Sequence, residues 1–162
     1  MKTISFNIIT SFFLVISGVL LFPGCSKSND SPATTNGFIW ATGGKNYTAT
    51  IHKAFTGTGY TITPFHVVAG FGTYPTGFNR RIDFHLSSFN TSSFTIVPSP
   101  NTVNTLQYID DTGNNMEGIS GALKITANSN NLLSGDFSVT LIDASMVTST
   151  MSGSFTTISI EP

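Results

Sequence analysis

Charge is scarce in this chain: 9% of the 162 residues are ionised, against about 25% in an average soluble protein. With 7 Lys and Arg against 8 Asp and Glu the net charge is -1. No basic stripe is left to neutralise phosphates, so nucleic acid is not expected as a partner. Helix formers are equally thin. After Cys25, Leu occurs 6 times and Glu twice, and from Phe38 onward no window keeps the i, i+3, i+4, i+7 apolar spacing of an amphipathic helix. The signatures of hydrolytic chemistry are missing too, with no G-x-S-x-G, H-E-x-x-H or Ser-x-x-Lys. Paired carboxylates for glycoside cleavage would have to come from only 7 acidic residues beyond position 36. An enzyme is therefore not expected, and no catalytic residue is assigned. Cysteine occurs once, at position 25.

What the chain does have is apolar area and uncharged polar groups. Hydrophobic residues make up 40% of it, 14 of them Phe, enough to offset the entropy of ordering and to exclude a disordered protein. Ser, Thr and Asn supply 57 residues, so the expected surface is polar and nearly neutral.

The amino terminus reads as an export signal. Lys2 gives a short positive region, and residues 8–22 form a 15-residue, mostly apolar run, shorter than the roughly 20 residues that span a bilayer. The run ends at Phe22-Pro23-Gly24-Cys25, and an unpaired thiol in an exported protein calls for a reason. This arrangement resembles a bacterial lipoprotein signal peptide, although Phe22 and Pro23 stand where Leu-Ala or Leu-Ser is commoner. The resemblance implies that residues 1–24 are removed. Cys25 would then be diacylated on sulfur and acylated on its new amino group with palmitate or a similar chain. More than one acyl chain gives stable membrane anchoring where a single chain gives only marginal binding. Residues 26–36 are polar and carry Pro32, and they read as a tether with a reach of about 18 Å. Ser26 after the cysteine resembles lipoproteins delivered to the outer membrane, facing either the periplasm or the exterior.

Residues 37–162 are expected to form one all-β domain. Period-two alternation is clearest at Ile82, Phe84 and Leu86, and it recurs at Leu123, Ile125 and Ala127 and at Phe137, Val139 and Leu141. Strands are predicted near 37–42, 46–54, 60–69, 80–87, 92–97, 104–110, 118–127, 133–143 and 147–160. Turn formers such as Gly43-Gly44, Thr112-Gly113-Asn114-Asn115 and Asn128-Ser129-Asn130-Asn131 separate most of them. About nine strands at that spacing imply an antiparallel β-sandwich, or else a flattened barrel. A Ser-Gly echo at Ser120-Gly121, Ser134-Gly135 and Ser152-Gly153 reads as bulges or kinks at the starts of successive strands.

Phe38-Ile39-Trp40-Ala41-Thr42-Gly43-Gly44-Lys45-Asn46-Tyr47-Thr48-Ala49 is an aromatic strand, a Gly-Lys turn and a Tyr-x-Ala strand. With Gly121 to Thr126 and Leu133 to Val139, it resembles a family of uncharacterised Bacteroidetes-type β-sandwich lipoproteins. That resemblance implies an all-β lipoprotein and transfers no catalytic or binding residue.

Three sets of side chains are candidates for chemistry. Aromatics with polar handles are Trp40, Tyr47, Tyr60, Tyr74 and Tyr108. Of these, Tyr60 and Tyr74, together with Phe78, lie near turns, where binding residues collect, and they are the expected ligand contacts; Trp40 is expected in the core. Asp110, Asp111 and Glu117 bracket a Gly-Asn-Asn turn and offer the hard oxygen ligands that Ca2+ requires, without EF-hand spacing. His52, His66 and His85 would bind a metal only by converging across a sheet. The function expected is a non-catalytic binding module of the cell envelope with a glycan or protein ligand. A structural or assembly lipoprotein pairing through a strand edge, and a small hydrolase using His85 and Asp83, are the alternatives.

Overall fold

The structure, a computed structural model, describes residues 37–58, 64–72, 80–101 and 103–162. Every regular element among them is a strand. They are β1 (Gly37–Thr42), β2 (Lys45–Thr48), β3 (Ile51–Thr58), β4 (Pro64–Gly72), β5 (Arg80–Leu86), β6 (Ser93–Thr95), β7 (Thr105–Ile109), β8 (Asn115–Ser129), β9 (Leu132–Asp143) and β10 (Thr148–Glu161). Hydrogen bonding runs β10-β3-β4-β5-β7-β8-β9 and back to β10, a closed ring of seven strands. All of its pairings are antiparallel except β10 with β3, where Ile160 meets Ala54 and Glu161 meets Phe55. Outside the ring, β1 adds to β10, β2 to β1, and β6 to β8.

The strand expected over 46–54 divides in two because its hydrogen-bond partners change. The Ala49 N–H donates to the Phe38 carbonyl of β1, and the next N–H, of Thr50, donates to Phe71 of β4. The chain thus passes from the outer hairpin into the barrel wall within one residue.

Interior positions follow the alternation, with Ile82, Phe84 and Leu86 buried, and likewise Phe137, Val139 and Leu141. The lumen is filled from wall to wall. Phe84 of β5 meets Phe137 of β9 at a centroid distance of 4.8 Å, and Phe38 stacks on Phe155 at 5.8 Å. Ala127 departs from expectation. A bulge between Ile125 and Ala127 resets the parity of β8, so Leu123 and Ile125 are buried while Ala127 is exposed.

The Ser-Gly echo also has a different cause from the expected strand-start kinks. Gly121, Gly135 and Gly153 lie inside their strands, not at the starts. Only Gly121, at φ 109°, adopts a backbone conformation reserved for glycine. Gly135 and Gly153 instead give up the space that the Phe155 and Phe137 rings occupy.

Candidate functional site

One end of the barrel gathers the turns 43–44, 110–114 and 144–147, as the register fixes: Thr42 lies beside Met151, Met116 beside Asp143, and Arg81 beside Ile109. Gly37, the first residue of β1, lies beside Thr156. The uppermost interior layer at the turn-bearing end is aromatic and polar. Trp40 and Tyr47 stack at 5.5 Å and 28°, and the Arg80 guanidinium lies 4.3 Å above the Tyr47 ring. Tyr108 meets Trp40 edge-on at 6.5 Å. Arg80 is buried because it shares the parity of Ile82, Phe84 and Leu86 and so enters the lumen.

Tyr47 thus stacks on Trp40 and takes the Arg80 guanidinium over its ring, a cation–π contact that adds about 0.5–2 kcal/mol. A phenol is protonated at neutral pH and can donate as well as accept; burial pushes that of Tyr108 further up, to about 12. The Trp40 indole N–H is buried with no hydrogen-bond partner. It approaches the Tyr108 hydroxyl closely enough to favour the phenolate slightly, without reaching hydrogen-bond geometry.

Above this layer opens a cavity of about 210 Å3 lined by Thr42, Gly43, Lys45, Tyr47, Tyr108, Asp110, Asp111, Met116 and Ser149. The carboxylates beside it are unequal. Asp110 Oδ1 accepts from the Thr112 N–H at 2.8 Å, the Thr112 hydroxyl at 2.7 Å and the Asn114 N–H at 3.0 Å. Burial alone would raise the Asp110 pKa, but these bonds outweigh it and hold the carboxyl below its ordinary range. Asp110 thus clamps its own turn, while Asp111 also faces the cavity.

Glu117 does not join Asp110 and Asp111. Met116 and Glu117 are consecutive on β8 and point to opposite faces. Glu117 lines a different cavity of about 420 Å3 with Ser99, Gln107 and Met146, one that Met116 also borders, and its carboxylate accepts the Ser99 N–H there. The three histidines do not converge either. His52 and His66 share the parity of Ala54 and Val68, which face the lumen, whereas His85 shares the outer face of β5 with Arg81 and Asp83. Among the described residues no three His, Cys, Asp or Glu side chains gather to hold a metal ion.

Asp83 is buried on that outer face and paired with Arg81, and its Oδ1 has no hydrogen-bond partner. Burial raises its pKa against the pull of Arg81, and burial lowers the pKa of His85 against the pull of Asp83.

A further concavity of about 570 Å3 crosses the outer face of β2, β1, β10 and β9, where Ile39, Ala41, Asn46, Thr48, Asp136, Ser152 and Ser154 line it. Tyr60, Tyr74, Phe78 and Cys25 lie outside the described residues. The ends of the 73–79 segment, Gly72 and Arg80, pair with each other beside the aromatic layer. Sequence reasoning named Tyr47 and Tyr108 but passed over Lys45 and Arg80. The parity of Arg80 with Ile82 was the signal available for it. No family model, curated protein or solved structure matches this chain.

Proposed function

We propose that this protein is a lipid-anchored, non-catalytic binding module of the bacterial cell envelope. It would be held to the outer membrane through Cys25, and the turn-bearing end of its barrel would receive the ligand. The observation that carries this reading is the mouth of the barrel, where the Trp40–Tyr47–Arg80–Tyr108 layer and its cavity lie at the turn-bearing end. Mouths of β-barrels are a common place for ligand sites. A glycan or an envelope protein would be received there.

The same reading takes the domain as a member of the Bacteroidetes-type lipoprotein family, with a barrel flattened into two facing layers. The Phe84–Phe137 contact between opposite walls supports that flattening. Assembly through strand edges is less well supported. Ring closure removes the edges of seven strands, and those added outside it include β2, of 4 residues, and β6, of 3. Short edges are poor templates for pairing.

The reading is tested in two steps. Cys25→Ala should move the protein from the membrane to the soluble fraction and remove an acyl-labelled mass at the mature amino terminus. The soluble variant should retain saturable binding on glycan arrays or to envelope proteins captured by crosslinking, with binding reduced by Tyr74→Ala or Lys45→Ala. An unmodified thiol at Cys25 would remove the anchor from the reading. Absence of any saturable ligand would remove the module.

A further inference from the structure

In the Glu117 cavity the charged lining is Glu117 and Asp143 alone, set among Gln107, Asn115, Met116 and Met146. Backbone donors position both carboxylates. Glu117 accepts the Ser99 N–H, and Asp143 Oδ1 accepts the Ser145 and Val147 N–H groups at 2.8 and 2.9 Å. The ion pairs among the described residues are Lys53–Glu161 and Arg81–Asp83, so neither carboxylate of the cavity meets a cation there. Met116 also borders the neighbouring cavity, where Asp110 and Asp111 stand against Lys45. The two cavities thus offer four carboxylates and one ammonium. Such a surface draws cationic partners and repels anionic ones, an anionic membrane included. Its rim is apolar where the fold does not require it. Met146 and Val147, adjacent in the β9–β10 turn, are 76% and 63% exposed and take no part in the core. Met146 holds φ at 64°, a left-handed conformation that glycine or asparagine adopts at less cost. Asp143 fastens the turn, through its carboxylate and through its carbonyl, which accepts the Met146 N–H at 3.0 Å. The fold therefore accounts for the turn but not for a long apolar side chain at its tip. Methionine, unbranched and polarizable, is over-used at surfaces that adapt to a protein partner.

We propose that this surface docks a basic segment of an envelope protein, with an Arg or Lys side chain entering the Glu117 cavity and neighbouring apolar side chains resting on Met146 and Val147. The cationic head meets Glu117 and Asp143, and the aliphatic stem lies along Met116 and Met146, the division of labour that long basic side chains allow. The inference rests on the binding-module reading and commits it, between glycan and protein, to a protein.

The test is NMR of the soluble Cys25→Ala protein carrying isotope-labelled methionine methyls. Met116 and Met146 line the cavity, and Met151, buried in the core, is the internal control. Capped Leu-Arg-Leu should shift the Met116 and Met146 signals saturably and leave Met151 still. Capped Leu-citrulline-Leu, of nearly the same shape without the charge, should bind roughly tenfold more weakly, and Glu117→Gln should weaken the arginine peptide by a similar factor. Met146→Asn should weaken it as well while the melting temperature holds or rises, because asparagine suits the left-handed backbone. A citrulline peptide that binds as well as the arginine one would overturn the inference, and so would signals that no peptide moves. If neutral oligosaccharides move them instead, the inference falls and the module reading stands with a glycan as occupant. If phosphatidylglycerol vesicles move them instead, the inference falls and the tip is a membrane contact. If nothing moves them, and neither arrays nor crosslinking find a ligand, the two readings fall together.

Discussion

Phe137 of β9 stands directly opposite Gly153 of β10, and its ring fills the space that a Cβ at Gly153 would need. Two residues away the roles reverse, with Gly135 on β9 opposite Phe155 on β10 and the Phe155 ring laid over it. Each ring shields backbone that glycine leaves bare, the cross-strand aromatic–glycine arrangement known to support sheets. Both rings then reach Phe38, at 5.7 and 5.8 Å. The Ser-Gly-x-Phe echo in the sequence is thus the trace of a reciprocal packing device at the centre of the barrel.

Gly153→Ala should cost about 1–3 kcal/mol of stability, the usual range for overpacking a core. Phe137→Ala should cost about 3–5 kcal/mol through the cavity it opens. The two changes compete for one volume, so the double variant should be more stable than the sum of the single losses implies. Part of the glycine cost should persist, because the added methyl also meets the Ile39 carbonyl oxygen. Strictly additive losses in urea unfolding would show that ring and glycine act separately.

Local periodicity made much of the fold legible. The strands at 37–42, 80–87 and 133–143 are found within a residue of where alternation places them. What it could not supply were events decided by partners far away in the chain. The break at Ala49-Thr50 comes from a switch of acceptor from Phe38 to Phe71, and the exposure of Ala127 comes from a bulge against β9. The site was half legible for the same reason. Tyr47 and Tyr108 could be named as amphipathic rings, but their meeting depends on β1, β2 and β7 converging at one end. Glu117 was grouped with Asp110 and Asp111 by proximity in sequence, which the alternation of β8 undoes.

Asp83 should make stability fall as pH rises. Burial raises its pKa in the folded state, ahead of the opposing pull of Arg81, so the unfolded chain gives up this proton first and gains relative to the fold. The contribution is complete below the unfolded value near 3.8 and is lost as pH climbs through the raised folded value. Asp83→Asn should therefore melt higher than the parent at neutral pH, with the gain shrinking as pH approaches 3.8. A gain of equal size at every pH would separate it from ionisation.

Asp110 should act with the opposite sign. Its folded pKa lies below the ordinary value of 3.8, because bonds from Thr112 and Asn114 overcome the effect of burial. The stability it lends is full above that value and is lost as pH falls through the folded pKa. Asp110→Ala should cost about 1 kcal/mol at neutral pH by leaving the turn unclamped. Asp110→Asn should keep most of the clamp and lose its acid sensitivity. Thermal melts of the three proteins across the acid range would show this, and identical slopes would contradict it.

Trp40 is the only tryptophan in the chain, and it is 2% exposed, so its fluorescence reports on the end layer alone. Tyr47 stacks on Trp40 in that layer and carries the Arg80 guanidinium over its ring. Tyr47→Ala should let water reach the indole and move its emission to longer wavelength. Arg80→Met keeps an unbranched stem beside Tyr47 but removes the cation, so the emission should hold while stability drops by about 0.5–2 kcal/mol. Different responses would mean that the ring shields Trp40 and the guanidinium fastens the ring. An equal red shift in both variants would mean that the layer opens whenever Arg80 lets go, making the cation the element that keeps the end cavity formed.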